Sequence, residues 1–260
     1  MAEITWRSVQ TVGLDGGPEW EGMSVSVVIP TLNEAENLPH VFERLPAGLK
    51  EVILVDGKST DDTVEVARLL RPDVRIVQQD GKGKGDALAC GFAAATGDAI
   101  VMIDADGSTD PAEIPRFIHA LAEGADFAKG SRTLPGGGSA DLTHIRRFGN
   151  WVLSTTVNAL YGTKYSDLCY GYNAFRRACL DHLVVDSPGF EVETLINIRV
   201  AKLGLSVSEV PSYEGRRIHG CSKLNPLRDG WRILKVIVRE RVVSRDSAQI
   251  APICSQSARP

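Results

Sequence analysis

The chain has 260 residues, carries 29 Lys and Arg against 33 Asp and Glu for a formal charge of −4, and is 43% hydrophobic. That length allows one large α/β domain or two small ones, and a near-balanced charge with no base-rich half excludes a broad nucleic-acid footprint. No stretch approaches the roughly 20 apolar residues of a membrane span. Glu3, Arg7 and Asp15 stand where a signal peptide would be apolar, and five cysteines without a C-x-x-C pair predict a reduced, cytoplasmic protein.

Residues 1–23 and 244–260 lack periodicity and read as flexible tails around a single domain at 24–243. Strand patterns at 25–29, 51–55, 74–77 and 99–103 alternate with helical patterns at 34–45, 61–70 and 85–95. Such alternation predicts an α/β fold, a mostly parallel central sheet flanked by helices, with ligands outside the carboxyl ends of the strands. Four polar clusters fall at those ends: Pro30-Thr-Leu-Asn-Glu34, Asp56-Gly-Lys-Ser-Thr-Asp-Asp62, Gln79-Asp-Gly-Lys-Gly-Lys-Gly-Asp86 and Asp104-Ala-Asp106. Asp110 suits an N-cap with Pro111 in the first helical turn.

Beyond residue 130 the rhythm changes. Gly136-Gly-Gly-Ser139 marks a loop, 146–161 an amphipathic helix, 167–175 an extended segment, 191–203 a helix and 206–210 a short strand. The loop 212–224 is rich in bases, and a basic helix is expected over 226–243. On that helix Leu227, Trp231, Leu234, Ile237 and Val238 recur at helical spacing among Arg228, Arg232, Lys235, Arg239 and Arg241. The stripe suits either a membrane interface or packing on the sheet.

Asp104 and Asp106 follow the buried-strand run Ile100–Ile103 and repel each other unless a cation or a shared proton neutralises them. Gly81-Lys-Gly-Lys-Gly85 matches neither G-x-x-x-x-G-K-[ST] nor G-x-G-x-x-G, which argues against a kinase or a dinucleotide enzyme. The five histidines are scattered without metal-ligand spacing, and Cys169 has no local base to make it a nucleophile.

Val27-Val-Ile-Pro-Thr-Leu-Asn-Glu34, Val55-Asp-Gly-Lys-Ser-Thr-Asp61, Lys82-Gly-Lys-Gly85 and Asp104-Ala-Asp106 together resemble the ordered signatures of family 2 glycosyltransferases with a GT-A fold. Gly130-Ser-Arg132, Asp167-Leu-Cys-Tyr-Gly-Tyr-Asn-Ala-Phe175, Phe190-Glu-Val-Glu193 and Arg217-Ile-His-Gly-Cys-Ser-Lys223 are similar to motifs of dolichol-phosphate mannose synthases and bacterial polyprenyl-phosphate glycosyltransferases. The resemblance implies a nucleotide-sugar site of Pro30, Glu34, Asp56, Lys84, Asp104, Arg217 and Lys223. It also implies a Mg²⁺ or Mn²⁺ site at Asp104, Asp106 and Ser108, since a diphosphate and two carboxylates call for a hard cation.

By the same resemblance Arg132, Arg146 and Arg147 hold an acceptor phosphate, with spacing leaving open which of Arg146 and Arg147 faces inward, and the reacting set is Asp106, Arg217 and Asp167. The implied activity is inverting transfer of a sugar from a GDP- or UDP-sugar to a polyprenyl or dolichyl phosphate. The enzyme would then sit peripherally on the cytoplasmic face of a membrane or on an anchoring subunit. A phosphate acceptor, with a second pKa of about 6, needs no protein base. The alternatives are a soluble hydroxyl acceptor, with Asp167 or Glu191 as base, and a non-catalytic nucleotide-sugar binding module. Asp167, Glu191 and Glu193 read equally well as structural acids.

Overall fold

The computed structural model describes residues 6–8, 20–221 and 226–242. In chain order the elements are β1 (Trp6–Ser8), β2 (Val25–Thr31), α1 (Leu38–Glu43), β3 (Glu51–Asp56), α2 (Thr63–Leu70), β4 (Arg75–Gln78), α3 (Lys84–Ala94), β5 (Ala99–Met102), α4 (Ile114–Ala122) and β6 (Phe127–Ser131). They continue as β7 (Gly138–Ser139), α5 (His144–Tyr161), β8 (Asn173–Arg176), α6 (Val192–Leu203), β9 (Val207–Pro211), β10 (Tyr213–Glu214) and α7 (Pro226–Val242). Eight strands form one sheet in the order β1-β9-β6-β8-β5-β2-β3-β4, in which only β8 runs antiparallel to its neighbours, and β7 pairs with β10 beside it.

The central strands are apolar on both faces because helices cover both. Val27, Ile29, Leu54 and Val101 pack with Leu38, Phe117 and Leu121 on one side. Val28, Ile53, Val55 and Ile100 pack with Leu88, Phe92 and Ile196 on the other. Continuous Val and Ile runs are the expected signature of parallel strands buried in this way. Because β2, β3, β4 and β5 are parallel, the polar segments that follow them meet along one edge.

The expected helix at 34–45 shortens to Leu38–Glu43, with a turn closed by Asn37 N–H on the Glu34 carbonyl at 2.9 Å. Pro39 sets that start, since a proline without N–H is tolerated only in the first turn. Asp110 caps the turn at Pro111–Glu113, accepting from Ala112 N–H at 2.9 Å. The extended reading of 167–175 holds only from Asn173. Before it, the backbone donors of Leu168 and Cys169 go to the Asn150 side chain on α5, not to a neighbouring strand.

Residues 1–23 were expected to lie outside the fold, yet Trp6–Ser8 pair in parallel with Val207–Glu209 of β9. The reason is the edge itself, since an uncovered strand presents unpaired backbone groups that a short segment can satisfy. Trp20 and Met23 also pack against the core. Residues 244–260 lie outside the described residues.

α3 approaches the sheet closely at Gly91, where an added Cβ would lie 2.3 Å from Val28 Cγ1 and 2.9 Å from Val55 Cγ2. Gly91→Ala is expected to destabilise the protein by about 1–3 kcal/mol through overpacking. Denaturant unfolding checks this, and an unchanged midpoint would contradict the close contact of α3 with the sheet.

Candidate active site

Each strand end delivers an acid to the shared edge. Asp56, the last residue of β3, is buried and accepts the backbone N–H of Lys58 and of Ser59, both at 3.1 Å, which fixes the turn after the strand. Pro30 lies opposite Val55 and Thr31 opposite Asp56 in the β2–β3 register, which puts Pro30 and Asp56 at the same end of the edge. Glu34 is buried and accepts from Asn37 Nδ2 at 2.6 Å and from Arg217.

Asp104 and Asp106 follow β5. Asp104 Oδ1 lies 2.5 Å from the Lys84 ammonium at the N-terminus of α3, and that ammonium lies 2.7 Å from Glu193 Oε1 in the first turn of α6. Burial opposes the charge on Lys84, but Asp104 and Glu193 outweigh it and hold the ammonium well above the ordinary lysine value. Burial also lifts the Glu193 carboxyl above its usual value, only partly offset by Lys84. Lys84, expected on the nucleotide sugar, is therefore committed to two carboxylates. Gly171 makes room for them, since a Cβ there would lie 2.9 Å from Lys84 Nζ, 3.2 Å from Asp104 Oδ2 and 3.3 Å from Glu193 Oε1.

Asp106 is held from the other side. Its Oδ1 accepts from Ser108 Oγ at 2.6 Å, and its Oδ2 lies 3.2 Å from Arg217, whose guanidinium also reaches Glu34. Ser108, expected as a metal ligand, is thus an orienter of Asp106, with its hydroxyl proton directed at the carboxylate. The Arg217 segment is closed over the edge: Ile218 N–H donates to the Asp106 carbonyl at 3.2 Å, and Asn37 both accepts His219 N–H at 2.9 Å and donates to its carbonyl at 3.2 Å. Lys223 lies outside the described residues.

The described residues hold no cluster of three or more His, Cys, Asp or Glu able to hold a metal by themselves. Asp104 and Asp106 nonetheless fit a hard divalent cation, being two partly exposed carboxylates at the mouth of the edge. Such a pair suits a cation whose remaining ligands are diphosphate oxygens and water, not a closed protein cage.

Among the arginines expected at an acceptor phosphate, Arg132 is used differently. It is buried, its Nε and Nη2 grip both oxygens of Asp167 at 2.7 and 2.9 Å, its Nη1 reaches Glu214 at 3.0 Å, and it lies over the Tyr170 ring. Asp167, expected in the reacting set and as a base for a hydroxyl acceptor, is fully buried. Burial alone would raise its carboxyl, but Arg132 prevails and holds it below the usual value, leaving neither a path to an acceptor nor a basic lone pair to spare. Arg146 is engaged by Asp141 at 2.7 Å, whereas Arg147 is exposed and has no ion pair among the described residues. Glu191 is buried before α6; its Oε1 accepts from Gly189 N–H at 3.2 Å and its Oε2 has no hydrogen-bond partner among the described residues.

Gly171 and Asn37 carry no assignment from sequence, and Glu193 only an open choice between a catalytic and a structural acid. The only signal was the placement of Glu193 and Gly171 inside Phe190-Glu-Val-Glu193 and Asp167–Phe175, since acid–base pairing across three elements has no local pattern.

The profile described as glycosyl transferase family 2 matches residues 26–184. The chain belongs to glycosyltransferase family 2. It is similar to a polyprenol monophosphomannose synthase of Mycolicibacterium smegmatis, 37% identical over 76% of this chain and 80% of that one. An uncharacterized glycosyltransferase of Mycobacterium tuberculosis is 34% identical, over 82% and 99% of the two chains. Among solved structures, glucosyl-3-phosphoglycerate synthase from Mycobacterium tuberculosis, in complex with Mn²⁺, UDP-glucose and phosphoglyceric acid, superposes with a TM-score of 0.71 at 25% identity over 93% of this chain and 89% of that one. The fold of this glycosyltransferase is therefore GT-A, as the ordered motifs imply.

Removing the Asp167 charge strands Arg132 in a buried site, and Asp167→Asn is expected to cost about 3–5 kcal/mol. Because the folded-state value of Asp167 is depressed, its stabilisation is present above the unfolded value of about 3.9 and is lost as pH falls through the folded value. Unfolding free energies of the two proteins should differ by a constant amount above about pH 5 and converge toward more acidic pH. A gap that widens on acidification would contradict the ion pair.

Proposed function

We propose that the protein moves a sugar, with inversion, from a GDP- or UDP-sugar to a polyprenyl phosphate presented by a membrane surface. The observation that carries this reading is the outer face of α5 and α7. Ile145, Phe148 and Trp151 on α5 are 76%, 65% and 61% exposed, and the Phe148 and Trp151 rings lie 5.8 Å apart. On α7, Trp231, Leu234, Val238 and Val242 are exposed as well. The helices are joined by Tyr161 Oη donating to the Ile237 carbonyl at 2.6 Å.

The charges around this apolar face are basic. α5 contains no acid, and the acids of α7, Asp229 and Glu240, are buried under arginines and lysine. Exposed aromatics on helices whose exposed charges are basic suit anionic headgroups. No helix among the described residues is long and apolar enough to cross a membrane, and in this reading the contact is peripheral or shared with an anchoring subunit. Both readings of the α7 stripe have support: Ile237 packs in the core while Trp231, Leu234 and Val238 face outward, and the side chain of Leu227 lies outside the described residues. Relatives named polyprenol monophosphomannose synthase and undecaprenyl-phosphate mannosyltransferase agree with this acceptor class.

In this reading Pro30, Glu34 and Asp56 receive the nucleoside. Asp104 and Asp106 hold a Mg²⁺ or Mn²⁺ ion, which when bound supplies positive charge to the departing diphosphate. Arg217 turns from Glu34 and Asp106 toward the same phosphates. Arg147 meets the acceptor phosphate at the rim of the apolar face, and Arg132 positions the loop behind it. The acceptor is already an oxyanion at neutral pH, so the withdrawal of Asp167 into an ion pair costs the reaction nothing.

The buried, unpartnered Glu191 Oε2 supports a second reading, in which Glu191 is the base for a hydroxyl acceptor. Vesicle experiments separate the two. The protein is expected to sediment with anionic vesicles at low salt and to be released as salt rises. Phe148→Ser with Trp151→Ser should reduce binding by at least about tenfold, given the apolar area withdrawn from lipid. The same pair should raise KM for a vesicle-borne polyprenyl phosphate and spare a short-chain soluble one. Absence of vesicle binding at any salt, or equal loss on both acceptors, would favour the hydroxyl reading.

A further inference from the structure

The two acids at the end of β5 are held in the same way. Asp104 shares Lys84 with Glu193, and Asp106 shares Arg217 with Glu34, so each sits in an acid–base–acid bridge whose far acid comes from another element. The four carboxylates and two cations leave two negative charges, the complement of one divalent cation. A simple Lys84–Asp104 pair would instead be neutral and would cancel the ligand it positions.

We infer that Glu193 is a positioning residue of the donor site, which draws part of the Lys84 charge away from Asp104 and so keeps Asp104 able to take a divalent cation. Glu193 itself is too buried to touch a donor, at 4% exposed. Its geometry is fixed from several sides. Gly85 N–H donates to the Pro188 carbonyl at 2.9 Å, and a Cβ on Gly83 or Gly85 would lie 2.3 Å from the Pro188 oxygen or 1.7 Å from that of Ser187. The segment leading into α6 is thus packed closely against the turn that carries Lys84. Burying a second acid on Lys84 is costly, and a purely structural lysine clamp would need only one carboxylate.

This rests on Asp104 and Asp106 being cation ligands, and the test reads metal binding without donor or turnover. Mn²⁺ alone is titrated into each protein and unbound Mn²⁺ followed by electron paramagnetic resonance, with melting curves confirming the fold. Glu193→Gln, close in shape but uncharged, should weaken Mn²⁺ binding at least about tenfold, in the range typical of residues behind metal ligands. Glu193→Asp should recover most of it. Lys84→Met, which removes the competing cation, should tighten Mn²⁺ binding. A merely structural bridge would weaken binding in both Glu193→Gln and Lys84→Met, and that result, or unchanged affinity in Glu193→Gln, would overturn the proposal. Absence of Mn²⁺ binding by the unaltered protein would overturn the cation reading itself, and the proposal with it.

Discussion

Parallel strands bring their carboxyl ends to one edge, and in this chain four of those ends carry acids or the turns that meet them. Asp104 and Asp106 are one residue apart, with Glu34 and Glu193 close behind, and no such group stays ionised together without positive charge. Lys84 and Arg217 provide it, each spanning two acids. Much else follows from that requirement. A Cβ at Gly171 would crowd the Lys84 bridge, and the guanidinium of the Arg217 segment closed over the edge reaches two carboxylates. A ligand that brings both a diphosphate and a divalent cation is matched to this arrangement, since it can take over the charges the two side chains now balance.

The strand–helix alternation and the edge clusters were legible in sequence because parallel strands buried on both faces are written as continuous Val and Ile runs ending in polar turns. β6 was not, since Phe127–Ser131 carries Lys129 and Gly130, and the buried ammonium of Lys129 is satisfied by the Gly130 and Tyr170 carbonyls, which no periodicity announces. Only the start of α4 was legible, in the Asp110 cap and Pro111, while the helix itself buries Ile114, Phe117, Ile118 and Leu121. Trp6–Ser8 join the sheet by backbone pairing with Val207–Glu209, which side-chain pattern does not announce.

Residue types were easier to find than residue roles. Arg132 and Asp167 stand out in the sequence, but chain spacing does not show that one neutralises the other in the interior. Arg146 and Arg147, inseparable by sequence, are separated by Asp141, which engages only the first. On α5 the reading of an amphipathic helix was correct, yet the exposure of Phe148 and Trp151 depends on what packs against the helix and emerges only from the fold.

The acid edge and the exposed apolar residues of α5 and α7 support the proposal that this glycosyltransferase moves a sugar from a nucleotide donor to a lipid-borne phosphate. The most direct measurement is release of nucleoside diphosphate from a panel of GDP- and UDP-sugars with Mn²⁺, with and without polyprenyl phosphate. Release from one donor that depends on both Mn²⁺ and polyprenyl phosphate is expected. Equal release with a soluble acceptor such as phosphoglyceric acid, or none with polyprenyl phosphate, would contradict it.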